Sequence, residues 1–473
     1  MGFLKKLIFF MVGLAFTTIP ILANDINYDQ TFRIGWATAD ITPEKPVLIA
    51  GQFHARLSEG VMDPVKATIL AMESGNGNSS QKAIWISCDL VGISDGTRSS
   101  ANIRDKIRNE VIRLEPSLSA EQIIINATHT HAAPLVSSID NIEQVYGVSL
   151  EKMAAGGDAM QPAEYIDFAA DRIAKATVKA WNNRKIGGVS LGLSHAVVGM
   201  NRLQALHTGQ SVMYGNTNNQ DFSHIEGHED HSLNLMYFWD ENRKLSGLII
   251  NVAAPSQVSE HSYKLSGDFW HDTREELQRR YGKDIHILGQ ASAAGDQSPH
   301  VMVGGKAEER MQRLLGFEED GTGRGSLGQR KQIALRIADA VSSIYPVMKE
   351  NINWSPEFAH RMEVLQLSRR LLSMEDVEEA QKEAEVWQER YQEMLKDIEE
   401  NPEKTKEPRW YRDITISHSR LKRGLVVKER YELEKKEPKM PIEVHVLRVG
   451  DAVFATNPFE LYLDYGMQMK ARS

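Results

Sequence analysis

One cysteine, Cys88, is all the thiol chemistry in the 473 residues. The chain can therefore close no disulfide within itself and build no cysteine-ligated metal site. Basic blocks are missing as well. The formal net charge is −9 and lysines and arginines are dispersed, which removes the electrostatic basis for a nucleic-acid partner. Long apolar runs are confined to the start. There Lys5 and Lys6 precede Leu7–Leu22, and small Ala23 leads into polar Asn24 and Asp25. That order is the pattern of a secretory signal peptide, 1–23, cleaved after Ala23. The run is short for a membrane span and Pro20 interrupts it. No later run reaches membrane length, so the mature chain, 24–473, is expected to carry no transmembrane segment. It is expected to be exported, to a periplasm or beyond, where a disulfide-free protein of this size fits a bacterial envelope.

What is present is ordinary globular composition, 41% hydrophobic and 25% charged. The length suits one large domain or two smaller ones. Apolar alternation and short apolar runs predict strands in FRIGWATAD, Ile84–Leu90, Ile123–Ala127, VSLGLSHAVV and His286–Leu288, and two more around the turn Asp240-Glu241-Asn242. Helical spacing covers Arg98–Leu114, Ala163–Trp181, Asp268–Tyr281, Leu327–Tyr345 and Glu460–Lys470. The mixture predicts an α/β or mixed α+β fold, layered sheets flanked by helices. Residues 373–436 differ in character. Ser373 and Asp376 open a charged helix that Asn401-Pro402 closes, and a second charged stretch with Trp410 and Tyr411 follows. This reads as a helical hairpin inserted into the single domain, its charge runs being solvated helix faces.

The chemistry gathers in five loops. The central one is IIINATHTHAAP, an apolar run ending in His129 and His131. If strand geometry persists to His131, both imidazoles lie on one side, since side chains alternate with period two. The others are Gly51–Pro64 with His54, Arg56, Glu59 and Asp63; Gly199–Arg202 with Asn201 and Arg202; EGHEDHS with His228 and His231; and GQASAAGDQSPH with Asp296, Ser298 and His300. Each cluster alone could be a surface feature. The coincidence of five favours an enzyme. His129, His131, His54, His231 and Ser298 are the candidate catalytic groups, and Arg56, Arg202, Asn201 and Asp296 the candidate substrate contacts. Cys88, His195 and His286, set in apolar strands, read as core or edge residues.

The motifs ADITP, NATHTHAAP, Asn201-Arg202, Ser266-Gly267-Asp268, GDQSP and NPFE, in this order from about Arg33 to the end, resemble the N-terminal domain of the neutral/alkaline non-lysosomal ceramidases. The resemblance implies that fold and an amide-cleaving site. It implies a zinc ion held by His129 and Glu460, with His131 in support, Ser298 in or beside the active site, and Arg202 on the substrate. It also implies a second zinc histidine 14 positions before Asp268, where this chain has Ala254, and a tyrosine ligand further beyond Glu460 than Ser473. Two of the four implied ligands are thus without a counterpart, while a catalytic zinc ordinarily takes three protein ligands.

Three functions follow as expectations. A His- and Arg-rich pocket suits a carbon–oxygen lyase or dehydratase acting on uronic-acid-containing oligosaccharides, His removing the proton beside the carboxylate and Arg56 and Arg202 stabilising the enolate-like charge. The alternative is a ceramidase-like hydrolase of an amide or N-acyl bond, with Ser298 served by His129 or His131 or with a rearranged metal site. A non-catalytic glycan- or lipid-binding protein is the third. In each, the partner is a small molecule or oligosaccharide.

Overall fold

The computed structural model describes residues 31–75, 80–95, 102–136 and 141–473. The expected signal peptide lies outside the described residues. Sixteen strands occur among them: β1 (Phe32–Asp40), β2 (Lys66–Ser74), β3 (Gln81–Cys88), β4 (Ile123–Ala127), β5 (Lys185–His195), β6 (Met200–Asn201), β7 (Leu203–Leu206), β8 (Ser211–Met213), β9 (Phe222–Ile225), β10 (Ser232–Asp240), β11 (Leu245–Val252), β12 (His286–Ala291), β13 (Gln297–Ser298), β14 (Phe358–Ser368), β15 (Lys439–Val449) and β16 (Ala452–Ala455). The α-helices are α1 (Ile103–Leu114), α2 (Ile142–Tyr146), α3 (Leu150–Met153), α4 (Pro162–Asn182), α5 (Phe269–Tyr281), α6 (Gly305–Leu314), α7 (Leu327–Glu350), α8 (Met374–Glu400), α9 (Arg412–Lys436) and α10 (Leu463–Arg472).

Eight strands form one sheet in the order β12-β11-β10-β5-β1-β2-β3-β4, parallel only at its two ends, β11–β12 and β3–β4. The sheet folds over on itself. Ser87 on β3 hydrogen-bonds the carbonyl of Gly289 on β12, and Trp36 stacks on His286 with ring centroids 5.6 Å apart. The strand period then sorts side chains into layers. On β2, Ile69 and Ala71 pack against α1 and α4, whereas Leu70 and Met72 face an inner core. On β11, Leu248 and Ile250 pack against α5 and α7, and Ile249 joins that inner core. The result is helices outside, two halves of one sheet inside. Phe358, Leu447 and Val449 of a second sheet, β14-β15-β16, complete the inner core. This is the layered mixed α/β architecture expected. Cys88 is fully buried in the layer beneath α1 and α4, and burial pushes its thiol up.

Helices α8 and α9 stand side by side and touch the main body through the Gly51–Gly60 loop. Thr415 accepts from the Ala55 amide, Tyr411 accepts from the Leu57 amide, and Arg409 forks onto Glu59 at 2.7 and 2.8 Å. The hairpin therefore braces one of the chemistry-bearing loops.

His286, between the sheet halves, is held neutral: burial brings its pKa down to about 4. Its folded value lies below the unfolded one, near 6.5, so the unfolded chain binds the extra proton first. Stability is expected to fall as pH drops from about 6.5 towards 4, by at most about 1 kcal/mol per pH unit from this residue. Urea midpoints across that window test this; His286→Asn should flatten the slope.

Candidate functional site

Four segments that follow the carboxyl ends of β3, β4, β11 and β12 converge. Chain leaving the carboxyl end of a strand is a common place for ligand-binding groups. Strand β4 stops at Ala127, earlier than the persistence to His131 that the sequence reading considered, and His129 sits at φ +62°. The inward–outward alternation nevertheless continues. Thr128 and Thr130 turn inward and are fully buried, bonding Asp89 and the Ser266 carbonyl. The two histidines turn the other way and meet, Nε2 to Nε2, at 3.3 Å. Gly51 makes room for this. Its φ is +97°, and a Cβ there would lie 2.5 Å from the His131 ring.

The tautomers follow from the partners. A carbonyl only accepts, so His129 Nδ1–H donates to the Val91 carbonyl at 2.6 Å, leaving Nε2 towards Glu460 Oε1 at 3.4 Å. Tyr214 donates to Gln257 Oε1 at 3.3 Å, so the Gln257 amide nitrogen faces His131 Nε2, 2.8 Å away, and donates to it. His131 then carries its hydrogen on Nδ1, which looks at Glu260 Oε2 from 3.8 Å. Burial, the charge that His129 carries once protonated, and the charges of Arg56 and Arg202 keep His131 well below the usual histidine range, hence neutral. Glu260 accepts from His300 Nε2 at 2.9 Å. Burial raises the Glu260 pKa, but His300, His261 and Arg324 outweigh it and hold the carboxylate below its ordinary range. Glu460 is likewise held low: the hydrogen bond that Nε2–H of protonated His129 makes to it outweighs burial, with Arg202 adding its charge from 3.6 Å.

Arg202 donates to the Gly295 carbonyl at 2.7 Å and to Tyr214 Oη at 3.0 Å. Tyr214 is placed by a left-handed residue conformation, φ +56°, just after β8. Its hydroxyl reaches Ser298 Oγ at 3.2 Å.

Of the candidate residues, His129, His131, Arg202 and Glu460 meet around one point, and Ser298 lies behind them. Ser298 is 0% exposed and interacts with the Tyr214 hydroxyl and the His300 amide, with no histidine ring nitrogen against its Oγ among the described residues. The expected Ser–His pairing is therefore not formed. Arg56 is also 0% exposed, and its guanidinium is spent on the carbonyls of Ala50, His131, Glu260 and Ser262. It ties the Gly51–Gly60 loop to the His131 segment instead of presenting charge to a ligand. Asn201 and Asp296 bond each other at 3.1 Å, and Asp296 also holds the Leu463 amide; they join the β6 segment to the chain entering α10. His231 pairs with Glu229 at 3.2 Å and has no bond to His129 or His131 among the described residues. His54 lies on the loop under the hairpin, its pKa lowered to about 4 by burial and then by Arg56 and Arg412.

Asp63, near the end of the Gly51–Pro64 loop, is a buried anchor for Ser266, Gly267 and Arg330. Asp268 of the Ser-Gly-Asp motif holds the amides of Val258 and Ser259, which positions Gln257 and Glu260. Sequence reading missed Tyr214, Gln257 and Glu260. Tyr214-Gly215 carried a weak turn signal; Gln257 and Glu260 carried none.

The same fold occurs in solved structures. The neutral ceramidase from Pseudomonas aeruginosa superposes with a TM-score of 0.59 at 15% identity, over 94% of this chain and 64% of that chain. A ceramidase complexed with C2 superposes at 0.52 with 17% identity, over 74% of this chain and 48% of that one. The fold is ceramidase-like. This chain spans 64% and 48% of the lengths of those two proteins. No protein-family model and no curated protein matches the sequence.

The zinc that the ceramidase resemblance implies can be tested on the donors. Ala254 is fully buried in the apolar layer under α5 and α7, and the Gln257 amide takes the His131 lone pair. No group of three or more His, Cys, Asp or Glu side chains able to hold a metal ion occurs among the described residues. The implied zinc set does not fit.

No helix among the described residues is long and apolar enough to cross a membrane.

Proposed function

We propose that this protein is a hydrolase of an amide or N-acyl bond. The observation that carries the reading is the meeting of His129, His131, Glu460 and Arg202 at one point of a ceramidase-like fold. The residues suffice for a general-base route. His129 Nε2 takes a proton from water as the water attacks the carbonyl carbon. The resulting imidazolium faces Glu460, which stabilises it. Arg202 donates to the oxygen as charge develops on it, and the Tyr214 hydroxyl turns its one hydrogen from Gln257 to that oxygen. When the tetrahedral intermediate collapses, His129 returns the proton to the departing nitrogen. His131, fixed by Gln257 and Glu260, packs edge-on against the His129 ring and holds it in place. If the leader-like start of the chain acts as one, this chemistry takes place outside the cytoplasm.

The elimination reading is kept as a second one because of one observation. Tyr214, a proton donor, stands beside Arg202 in a site whose implied zinc set does not fit. In that chemistry His129 would take the proton next to a carboxylate and Tyr214 would protonate the leaving oxygen.

One experiment separates the two. Purified protein is incubated with a panel of N-acyl amines and with uronate oligosaccharides. Free amine and fatty acid are followed by mass spectrometry, and a new carbon–carbon double bond conjugated to a carboxylate by ultraviolet absorbance. The hydrolase reading expects amine and acid in equal amounts and no new absorbance. Absorbance without amine release would replace it with elimination, and neither signal would overturn both.

A further inference from the structure

Arg324 belongs to none of the loops the sequence reading singled out. It lies in the Gly321-Thr322-Gly323-Arg324-Gly325 turn, where all three glycines have positive φ, just before α7. Its guanidinium stands over the Tyr214 ring, 5.3 Å from the centroid. Arg202 stands over the same ring at 5.4 Å. Two cations thus share one aromatic ring whose hydroxyl is in the site. Arg202 has Glu460 as a counter-ion at 3.6 Å. Arg324 makes no ion pair among the described residues, and the nearby Glu260 already binds His300. Arg324 is also exposed.

An aromatic face offsets part of one positive charge. It does not neutralise two. The region around His131 is positive enough for Arg56, Arg202 and His129 to lower that histidine, although the chain as a whole carries −9. An exposed arginine with no ion pair among the described residues, set beside Arg202 on one ring, makes a local field for an anion even in a chain of net negative charge. The planar guanidinium fork matches a carboxylate in particular.

We propose that Arg324 is a specificity residue that binds a carboxylate of the substrate beside Tyr214 in the His129–Tyr214 site. The inference rests on the reading that this site binds substrate, and names what it selects. A carboxylate could come from two sources, a uronic acid or the amino-acid part of an N-acyl amino acid. The requirement is the same for both: an anionic group near the bond that reacts.

The test is binding, measured without turnover. Two pairs of probes are titrated calorimetrically into the full chain: N-lauroylglycine against N-lauroylethanolamine, and a glucuronate-containing disaccharide against its glucose counterpart. The expected result is that the acid of at least one pair binds about tenfold more tightly than its neutral partner, with the preference weakened by salt. The pair that shows it identifies the source. Arg324→Ala should remove the preference and leave the neutral probe unchanged; Arg324→Lys should keep part of it. Since Arg324 is exposed, thermal melts should match wild type, and Arg324→Gln serves as a second variant. No preference in either pair, or a preference that survives in Arg324→Ala and Arg324→Gln, overturns the proposal. Turnover plays no part in these outcomes, so failure of the hydrolase reading is recognised separately, by the product assay.

Discussion

His129→Asn is expected to lower kcat/KM for the cleaved substrate by about 10²–10⁴-fold, the usual worth of a positioned general acid–base group, with little change in folding. Asparagine is the informative replacement. His129 sits at φ +62°, a left-handed conformation that asparagine tolerates better than most residues. The variant removes the Nε2 lone pair without disturbing the backbone turn that brings His131 alongside. Its side chain is too short to meet Glu460 as the imidazole does. Steady-state kinetics, together with a thermal melt as control, decides the matter. Near-wild-type kcat/KM in a folded variant would remove His129 from the chemistry. A low melting temperature would instead point to the Val91 bond as the residue's main service. Glu460→Gln should act in the same direction with a smaller effect, because it keeps the shape and loses only the charge that faces the imidazolium.

The second large effect concerns stability. Arg274→Met should cost about 3–5 kcal/mol, the range for stripping a buried charge of its partner. Asp89 is 0% exposed, and Arg274 grips both its carboxylate oxygens at 2.8 and 2.6 Å. Asp89 also receives the Lys66 amide at 2.9 Å and the Thr128 hydroxyl at 3.3 Å. It thus links the end of β3 to the segment carrying His129. Losing Arg274 leaves an anion in an apolar layer with only neutral donors. The double variant Asp89→Asn with Arg274→Met should recover much of the loss, since the uncompensated charge is gone. Denaturant titration of wild type, Asp89→Asn, Arg274→Met and the double variant completes the cycle. A single variant that loses under about 1 kcal/mol, or a double variant no better than the single, would show that the pair is not what holds this junction.

Much of the fold could be read from the sequence for a simple reason. The short apolar runs of β3 and β4 and the helical spacing in α4 and α7 are local, and burial dictates them. Cys88 and His286 were placed in buried strand positions on the same ground. The family resemblance carried the rest of the architecture, because ADITP, NATHTHAAP and Ser-Gly-Asp sit at turns that the fold needs. Asp268 bonds two successive amides, and such a requirement leaves a short recognisable string.

The site was read less completely, and the errors share a cause. Arg56 and Ser298 have side chains suited to catalysis, yet sequence does not say what they touch. Arg56 is buried against four carbonyls and Ser298 lies behind Tyr214. Polar residue type predicts reactivity only when the group is left free, and the long-range partners decide that. Conversely, Gln257 and Glu260 looked unremarkable until the loop after β11 folded against the His129–His131 segment, where they set the His131 tautomer.

By itself, then, the sequence determined which segments are strands and helices, that Cys88 has no disulfide partner, and that His129 and His131 leave a strand end together. Each depends on neighbours in the chain or on composition. The family resemblance placed Glu460 and Arg202 beside them; only the tertiary structure decided that His231 stays apart, that Gln257 and Glu260 close in on His131, and that Arg324 stands over Tyr214. Those groups come from points far apart in the chain, and their meeting depends on how the sheet folds back on itself. No local pattern encodes that, because it arises from packing of both faces at once.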